Sequence, residues 1–167
     1  MNFIKLDPLN LTENPFHLIG KDWALITAEA EGKVNTMTAS WGGVGVLWNK
    51  NVVFAFVRHS RYTFELLEKT NSFSLTFYPE EKRPMLAYCG KASGRNEDKI
   101  SKSGLTLLHE EGIPYFEEAK LAVLCKKLYW QDIEPENFID TGILPTCYNT
   151  QDFHRMYVGE IQSILTR

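Results

Sequence analysis

The sequence predicts a mainly β, α+β architecture, a barrel or sandwich of strands with short helices inserted. Three observations predict it. Residues 72–77, "SFSLTF", alternate, with Phe73, Leu75 and Phe77 on one side and Ser72, Ser74 and Thr76 on the other, the period of a half-buried strand. Residues 52–57, "VVFAFV", are a continuous β-forming apolar run of the kind buried on both faces, which makes them the candidate central strand. The strands also follow one another too closely for a regular strand–helix–strand series.

Taken in order, residues 23–30, "WALITAEA", read as a strand, and the "EGK" that follows turns the chain into a second strand over 34–40, so a hairpin is predicted. The stretch "NTMTASWGGVG" then reads as a wide turn rich in glycine and small hydroxyl residues, and residues 49–51 form a further turn before the apolar run. In "SRYTFELLEKTNS" the period changes: Phe64 and Leu67 are three apart, and Ser60 or Thr63 is placed to cap a helix of about two turns. "PEEKRPMLAYCG" reads as a short helix ending at Gly90, with Pro84 either breaking it or lying in its first turn. A helix is possible over 96–102, and from Leu105 the pattern is mixed. Leu121, Val123 and Cys125 then alternate as a strand, and "HRMYVGEIQSILTR" supplies another.

A length of 167 residues suits one domain spanning 1–167, because a split would leave two marginal cores. With 44% hydrophobic and 23% charged residues the composition is that of a soluble globular chain, and a net charge of −3 argues against a general nucleic-acid binder. Any phosphate bound must be bound locally. Cys89, Cys125 and Cys147 are odd in number and lack metal-ligand spacing, so they read as cytosolic thiols, with neither a disulfide framework nor a metal site. "MNFIKLDPLN" lacks the pattern of a secretory signal and no apolar stretch approaches membrane-spanning length, which predicts a cytoplasmic protein with no membrane partner.

Two familiar motifs fail on inspection. "GGVG" is followed by a turn and a strand where a dinucleotide fingerprint needs a helix, and His109-Glu110-Glu111 has Ile113 where a second zinc ligand should stand. The strongest local signal is "RHSRYT", Arg58 to Thr63, where a strand ends and a helix begins. Hydroxyls and arginines there suit a phosphate, though the same residues also read as a plain helix cap with solvated arginines. Lys91, Ser93, Arg95 and Lys99 surround a glycine in a polar loop. Thr36, Thr38 and Ser40 fall on one face of an extended chain and could offer hydroxyls to one ligand. Trp41, beside two glycines, could shield a planar ring or belong to core or interface, and His154 could stand at a pocket mouth or be structural.

Read together in this order, "NTMTASWGG", "RHSRYTFELLEKTNSFSLTF", "KASGRNEDK" and "HRMYVGEI" make the chain similar to the flavin reductase-like family, the FMN-binding split β-barrels that include flavoredoxin-type proteins. The resemblance covers roughly residues 15–164. It implies a Greek-key barrel, a homodimer, and FMN near the subunit interface. Thr36, Met37, Thr38, Ala39, Ser40 and Trp41 would lie along the isoalloxazine and ribityl chain. Arg58, Ser60 and Thr63 would hold the phosphate with His59 alongside, Ser93, Gly94 and Lys99 would lie near the cofactor, and Lys91 would help neutralise it. His154 would approach the substrate side as the catalytic residue, although Arg155 and Met156 depart from the family's more apolar or small pattern. The implied activity is an FMN-dependent oxidoreductase taking hydride from NADH or NADPH and passing electrons to a small molecule or a protein. A flavin- or haem-binding carrier or sensor, and a ligand-free interaction domain, are the rivals.

Overall fold

The computed structural model describes residues 2–167. Its strands are β1 (Ile4–Leu6), β2 (Ala24–Ala30), β3 (Lys33–Ala39), β4 (Gly42–Leu47), β5 (Lys50–Arg58), β6 (Ser72–Phe77), β7 (Leu107–Glu110), β8 (Ile113–Phe116), β9 (Leu121–Asp132) and β10 (His154–Thr166). The α-helices are short: α1 (Pro15–His17), α2 (Tyr62–Leu67), α3 (Arg83–Lys91), α4 (Lys99–Lys102) and α5 (Ile143–Cys147).

Eight strands make one antiparallel sheet in the order β3-β2-β6-β9-β10-β5-β4, with β1 on β10, while β7 and β8 pair separately. The chain leaves neighbour-to-neighbour order at the β1-to-β2, β3-to-β4 and β5-to-β6 connections, which gives Greek-key connectivity in place of a meander. β3 and β4 are consecutive in sequence yet lie at opposite ends of the strand order, joined through Ser40 and Trp41 without a shared ladder. The barrel is therefore split along a β3/β4 seam. Its main core gathers Ile26, Met37, Val53, Val57, Leu67, Phe73, Leu75 and Tyr157 beneath α2, and a second cluster around Leu86 and Phe116 covers the α3 side.

Three hairpins share one turn chemistry. Ala30↔Lys33, Leu47↔Lys50 and Glu110↔Ile113 each close a two-residue loop whose residues both have positive φ: Glu31-Gly32, Trp48-Asn49 and Glu111-Gly112. Such loops match the right-handed twist of the strands they join. The first is the predicted hairpin. The third, in a region where the sequence pattern looked mixed, repeats the same Glu-Gly signal.

Several expectations need correction. Residues 42–47 are not part of a wide turn but an edge strand, paired with β5 from Gly42↔Ala55 to Leu47↔Lys50, with the ring of Phe54 lying alongside Gly43 and Gly45. The run 52–57 is neither central nor buried on both faces: β5 is second from the edge, and Phe54 and Phe56 on its outer face are half-buried. Conversely β6 is buried on both faces, not one. Ser74 Oγ donates to the Pro114 carbonyl of the β7/β8 hairpin at 2.5 Å, and Thr76 Oγ1 bonds the Tyr78 hydroxyl at 2.9 Å. Neither Ser60 nor Thr63 caps α2, which starts after Arg61 without a side-chain cap. The helix over 79–90 is α3, with Pro84 in its first turn and Gly90 inside it, and the helix over 96–102 shrinks to α4, capped by Asp98. The strand from Leu121 extends to Asp132, paired with β10 over most of its length.

Candidate functional site

A cleft of about 210 Å³ opens at the seam. The end of β3 and the connection after it supply Met37, Thr38, Ala39, Ser40 and Trp41; β5 supplies Phe56 and Arg58; Arg61 precedes α2, and His154 begins β10. Strand register explains the convergence, since His154 pairs directly with Arg58, and Phe56 and Arg58, two apart on β5, point to the same face.

Two guanidinium groups mark one end. Arg58 donates to the Asp152 carbonyl at 2.5 Å and the Cys147 carbonyl at 3.0 Å, with Tyr148 beneath it at 5.2 Å. Arg61 donates to the Gly90 carbonyl at the end of α3 at 2.8 Å. Burial holds the Arg61 pKa below its usual value; the field of Asp152 opposes this, and Arg58 and Arg95 add to it. Among the described residues neither Arg58 nor Arg61 is ion-paired with a carboxylate.

His154 is fixed on two sides. Its Nδ1 is 2.7 Å from the Tyr148 hydroxyl, and its ring lies 5.2 Å from that of Trp41. Burial, with the positive charge of Arg58 next, pushes its pKa down to about 4, so the ring is neutral at ordinary pH.

Of the predicted site residues, the cleft brings together Met37, Thr38, Ala39, Ser40, Trp41, Arg58 and His154. The expectation that Thr36, Thr38 and Ser40 offer three hydroxyls to one ligand does not hold. Thr36 is buried with its hydroxyl on Thr27 Oγ1 and the Ile26 carbonyl, and Thr38 donates to the Leu86 carbonyl at 2.5 Å. Ser60 faces the cationic end, but its hydroxyl donates to the Asp152 carboxylate at 2.5 Å. His59 turns toward Asp132, 2.8 Å away, and packs on Phe64. Thr63 is buried and accepts from Asn35 Nδ2 at 2.9 Å.

The "KASGRNEDK" segment builds a separate groove. Gly94 packs against Asn35 and Tyr62, the Ser93 hydroxyl accepts from the Arg95 amide, and Lys91 is exposed at the end of α3. Lys99, only 2% exposed, donates to the Cys89 and Ala92 carbonyls, both at 3.0 Å, and so ties down the last turn of α3. Burial, with the Arg61 charge next, pushes its pKa to about 8. The segment thus clamps the helix whose Gly90 carbonyl orients Arg61. Arg155 lies outside the cleft, forked onto Asp132 and bonded to Glu68, while Met156 lines a neighbouring hollow with Phe56. Sequence reasoning missed Phe56 and Tyr148 as lining or supporting residues, and it counted Arg61 within the phosphate-suited motif without assigning it a place at the cofactor. Phe56 lies two positions before Arg58, and Tyr148 sits in an aperiodic loop that gave no signal.

A family model described as a flavin reductase like domain matches residues 16–167. The chain belongs to the flavin reductase-like family. Solved structures agree on the fold. An FMN-binding domain of a flavin reductases-like enzyme from Shewanella baltica superposes with a TM-score of 0.71 at 15% identity, covering 99% of this chain and 77% of that one. A flavoredoxin from Methanosarcina acetivorans gives 0.68 at 25% identity, covering 100% and 76%. The flavoredoxin of Desulfovibrio vulgaris gives 0.68 at 21%, covering 98% and 77%. An uncharacterized protein of Archaeoglobus fulgidus is 26% identical over 131 residues, 77% of this chain; the match spans 63% of that curated relative's length. In this flavin reductase-like chain, among the described residues, no helix is long and apolar enough to cross a membrane.

Proposed function

We propose that the chain is an FMN-binding oxidoreductase that takes hydride from NADH or NADPH and passes electrons to a small molecule or a protein acceptor. The observation that carries this reading is the make-up of the seam cleft. Backbone and small side chains at Ala39 and Ser40 form one wall, the Trp41 and Phe56 rings form apolar surfaces, and two guanidinium groups free of ion pairs stand at one end. That donor set fits a flat ring carrying an anionic tail.

FMN, when bound, supplies the ring that accepts and releases a hydride. The chain's own residues bind and orient. Ala39 and Ser40 allow close backbone approach, and Arg58 and Arg61 attract the anionic group with rigid, permanently charged forks. His154 adds no charge to the cleft at neutral pH. Hydride transfer depends on positioning more than on an acid or base, and the cleft offers positioning.

The same reading has the protein acting as a cytoplasmic homodimer. An exposed aromatic pair, Trp48 and Tyr129 with rings 5.8 Å apart, supports self-association, and free thiols at Cys89, Cys125 and Cys147 suit a reducing compartment. Sedimentation velocity tests the dimer. For the activity, the visible spectrum of the purified protein is recorded before and after FMN is added, followed by NADH or NADPH without oxygen. The reading expects flavin uptake and bleaching by one nicotinamide; uptake without bleaching leaves a carrier, and no uptake removes the site.

A further inference from the structure

The reaction sketched above assigns Tyr148 no task, yet this residue holds the histidine of the cleft. Tyr148 follows α5, is 6% exposed, and stacks on Phe153 at 4.7 Å between ring centroids, with Arg58 on its face at 5.2 Å. Its hydroxyl, 2.7 Å from His154 Nδ1, has no other hydrogen-bond partner among the described residues.

That geometry points to Tyr148 as the donor. A neutral imidazole carries one N–H and one bare nitrogen, and a phenol has one O–H. Were Nδ1–H to donate to Tyr148, the tyrosine proton would be left without an acceptor at a buried site. With Tyr148 donating to Nδ1, both groups are satisfied, and the remaining ring proton lies on Nε2. Among the described residues no protein atom hydrogen-bonds Nε2, and His154 lines the cleft. The ionisable groups acting on the ring agree with a neutral form. Arg58 on β5 and His59 after it disfavour a second proton, burial does so more strongly, and Asp152 alone opposes them. Burial also raises the Tyr148 pKa, so the phenol keeps its proton.

We propose that Tyr148 is a positioning residue that holds His154 as its Nε2–H tautomer, so that the cleft presents a bound ligand with a fixed, uncharged hydrogen-bond donor. The donor selects a ligand with a carbonyl or imine-type acceptor at its ring edge, a class that includes the flavin named above, and to that extent the ligand assignment rests on the proposed function. His154 then orients the ring without exchanging protons with it.

The decisive experiment is a long-range ¹H–¹⁵N correlation spectrum of the histidine side chains in the wild-type protein between pH 5.5 and 8, repeated with FMN and with Tyr148→Phe. The expected result is one neutral His154 tautomer protonated at Nε2, an Nε2 shift on adding FMN, and a mixture of tautomers in Tyr148→Phe. That variant should bind FMN roughly twofold to tenfold more weakly, the loss of one oriented hydrogen bond. A wild-type His154 protonated at Nδ1, or titrating within this range, overturns the proposal even if the variant does not fold. An unchanged tautomer in Tyr148→Phe overturns it as well. FMN that leaves a correctly assigned His154 unperturbed overturns the flavin reading of the cleft while the tautomer assignment stands.

Discussion

Asp152 stands behind the cationic end of the cleft and holds Ser60: its carboxylate accepts the Ser60 hydroxyl at 2.5 Å and the Ser60 amide at 3.3 Å, and its field reaches Arg61. An anionic ligand reaching the two arginines meets this carboxylate as a like charge. Asp152→Asn keeps the shape and removes the charge. We expect FMN to bind more tightly by on the order of 1–2 kcal/mol, with riboflavin, which has no phosphate, unchanged. Parallel fluorescence titrations check this, and equal effects on both flavins would assign Asp152 to the loop's packing alone.

Arg61→Ala removes a guanidinium that, among the described residues, makes no ion pair with a carboxylate, although the field of Asp152 reaches it. The loss of a charge-assisted contact should weaken FMN by about 1.5–3 kcal/mol, roughly ten- to a hundredfold, with a much smaller effect on riboflavin. Arg58→Ala should weaken FMN similarly but also lower the melting temperature, because among the described residues Arg58 alone ties the Cys147 and Asp152 carbonyls to β5.

Acid stability should depend on Asp132. Hydrogen bonds from Arg155, with His59 assisting, lower its carboxyl pKa to about 2, below its unfolded value. The stabilisation is therefore complete above pH 4 and is lost as pH falls toward 2. The pair is partly solvated, so its contribution is no more than about 1 kcal/mol. Asp132→Asn should flatten this part of the stability profile in urea denaturation from pH 5 to 2.

Gly94→Ala should destabilise the protein by about 1–3 kcal/mol. A Cβ there would stand 2.1 Å from Asn35 Oδ1 and 3.0 Å from Tyr62, forcing Asn35 to give up its buried bond to Thr63. Adding Asn35→Ala removes the obstacle, so the double variant should lose less than the sum of the two single ones. Additive losses in urea denaturation would show that the glycine is needed for another reason.

What the sequence revealed follows from what is local. The Glu-Gly turn after β2, the alternation in β6 and the apolar run of β5 are encoded within a few residues, and each element stands where its pattern indicates. The two-sided burial of β6 depends on a hairpin about 40 residues later, so its polar face read as solvent-facing. Gly43 and Gly45 read as a turn because the ladder that makes them strand residues is supplied by β5, which comes later in the chain. Likewise the cleft-lining residues 37–41 were legible as a motif, whereas the hydroxyls of Thr36, Ser60 and Thr63 were taken by Ile26, Asp152 and Asn35, partners that no spacing in the chain announces.

The seam gives the barrel an unfinished closure. Consecutive strands that share no ladder leave β3 and β4 as the two ends of the strand order, and a ligand seated in the cleft where β3 ends, against β5 and the start of β10, would act as a keystone. Its occupancy then enters the folding equilibrium directly, adding about 2.7 kcal/mol when ligand stands at a hundredfold excess over its Kd. Empty and loaded molecules in one preparation would melt as two populations, with amide exchange along β3 and β4 separating them first.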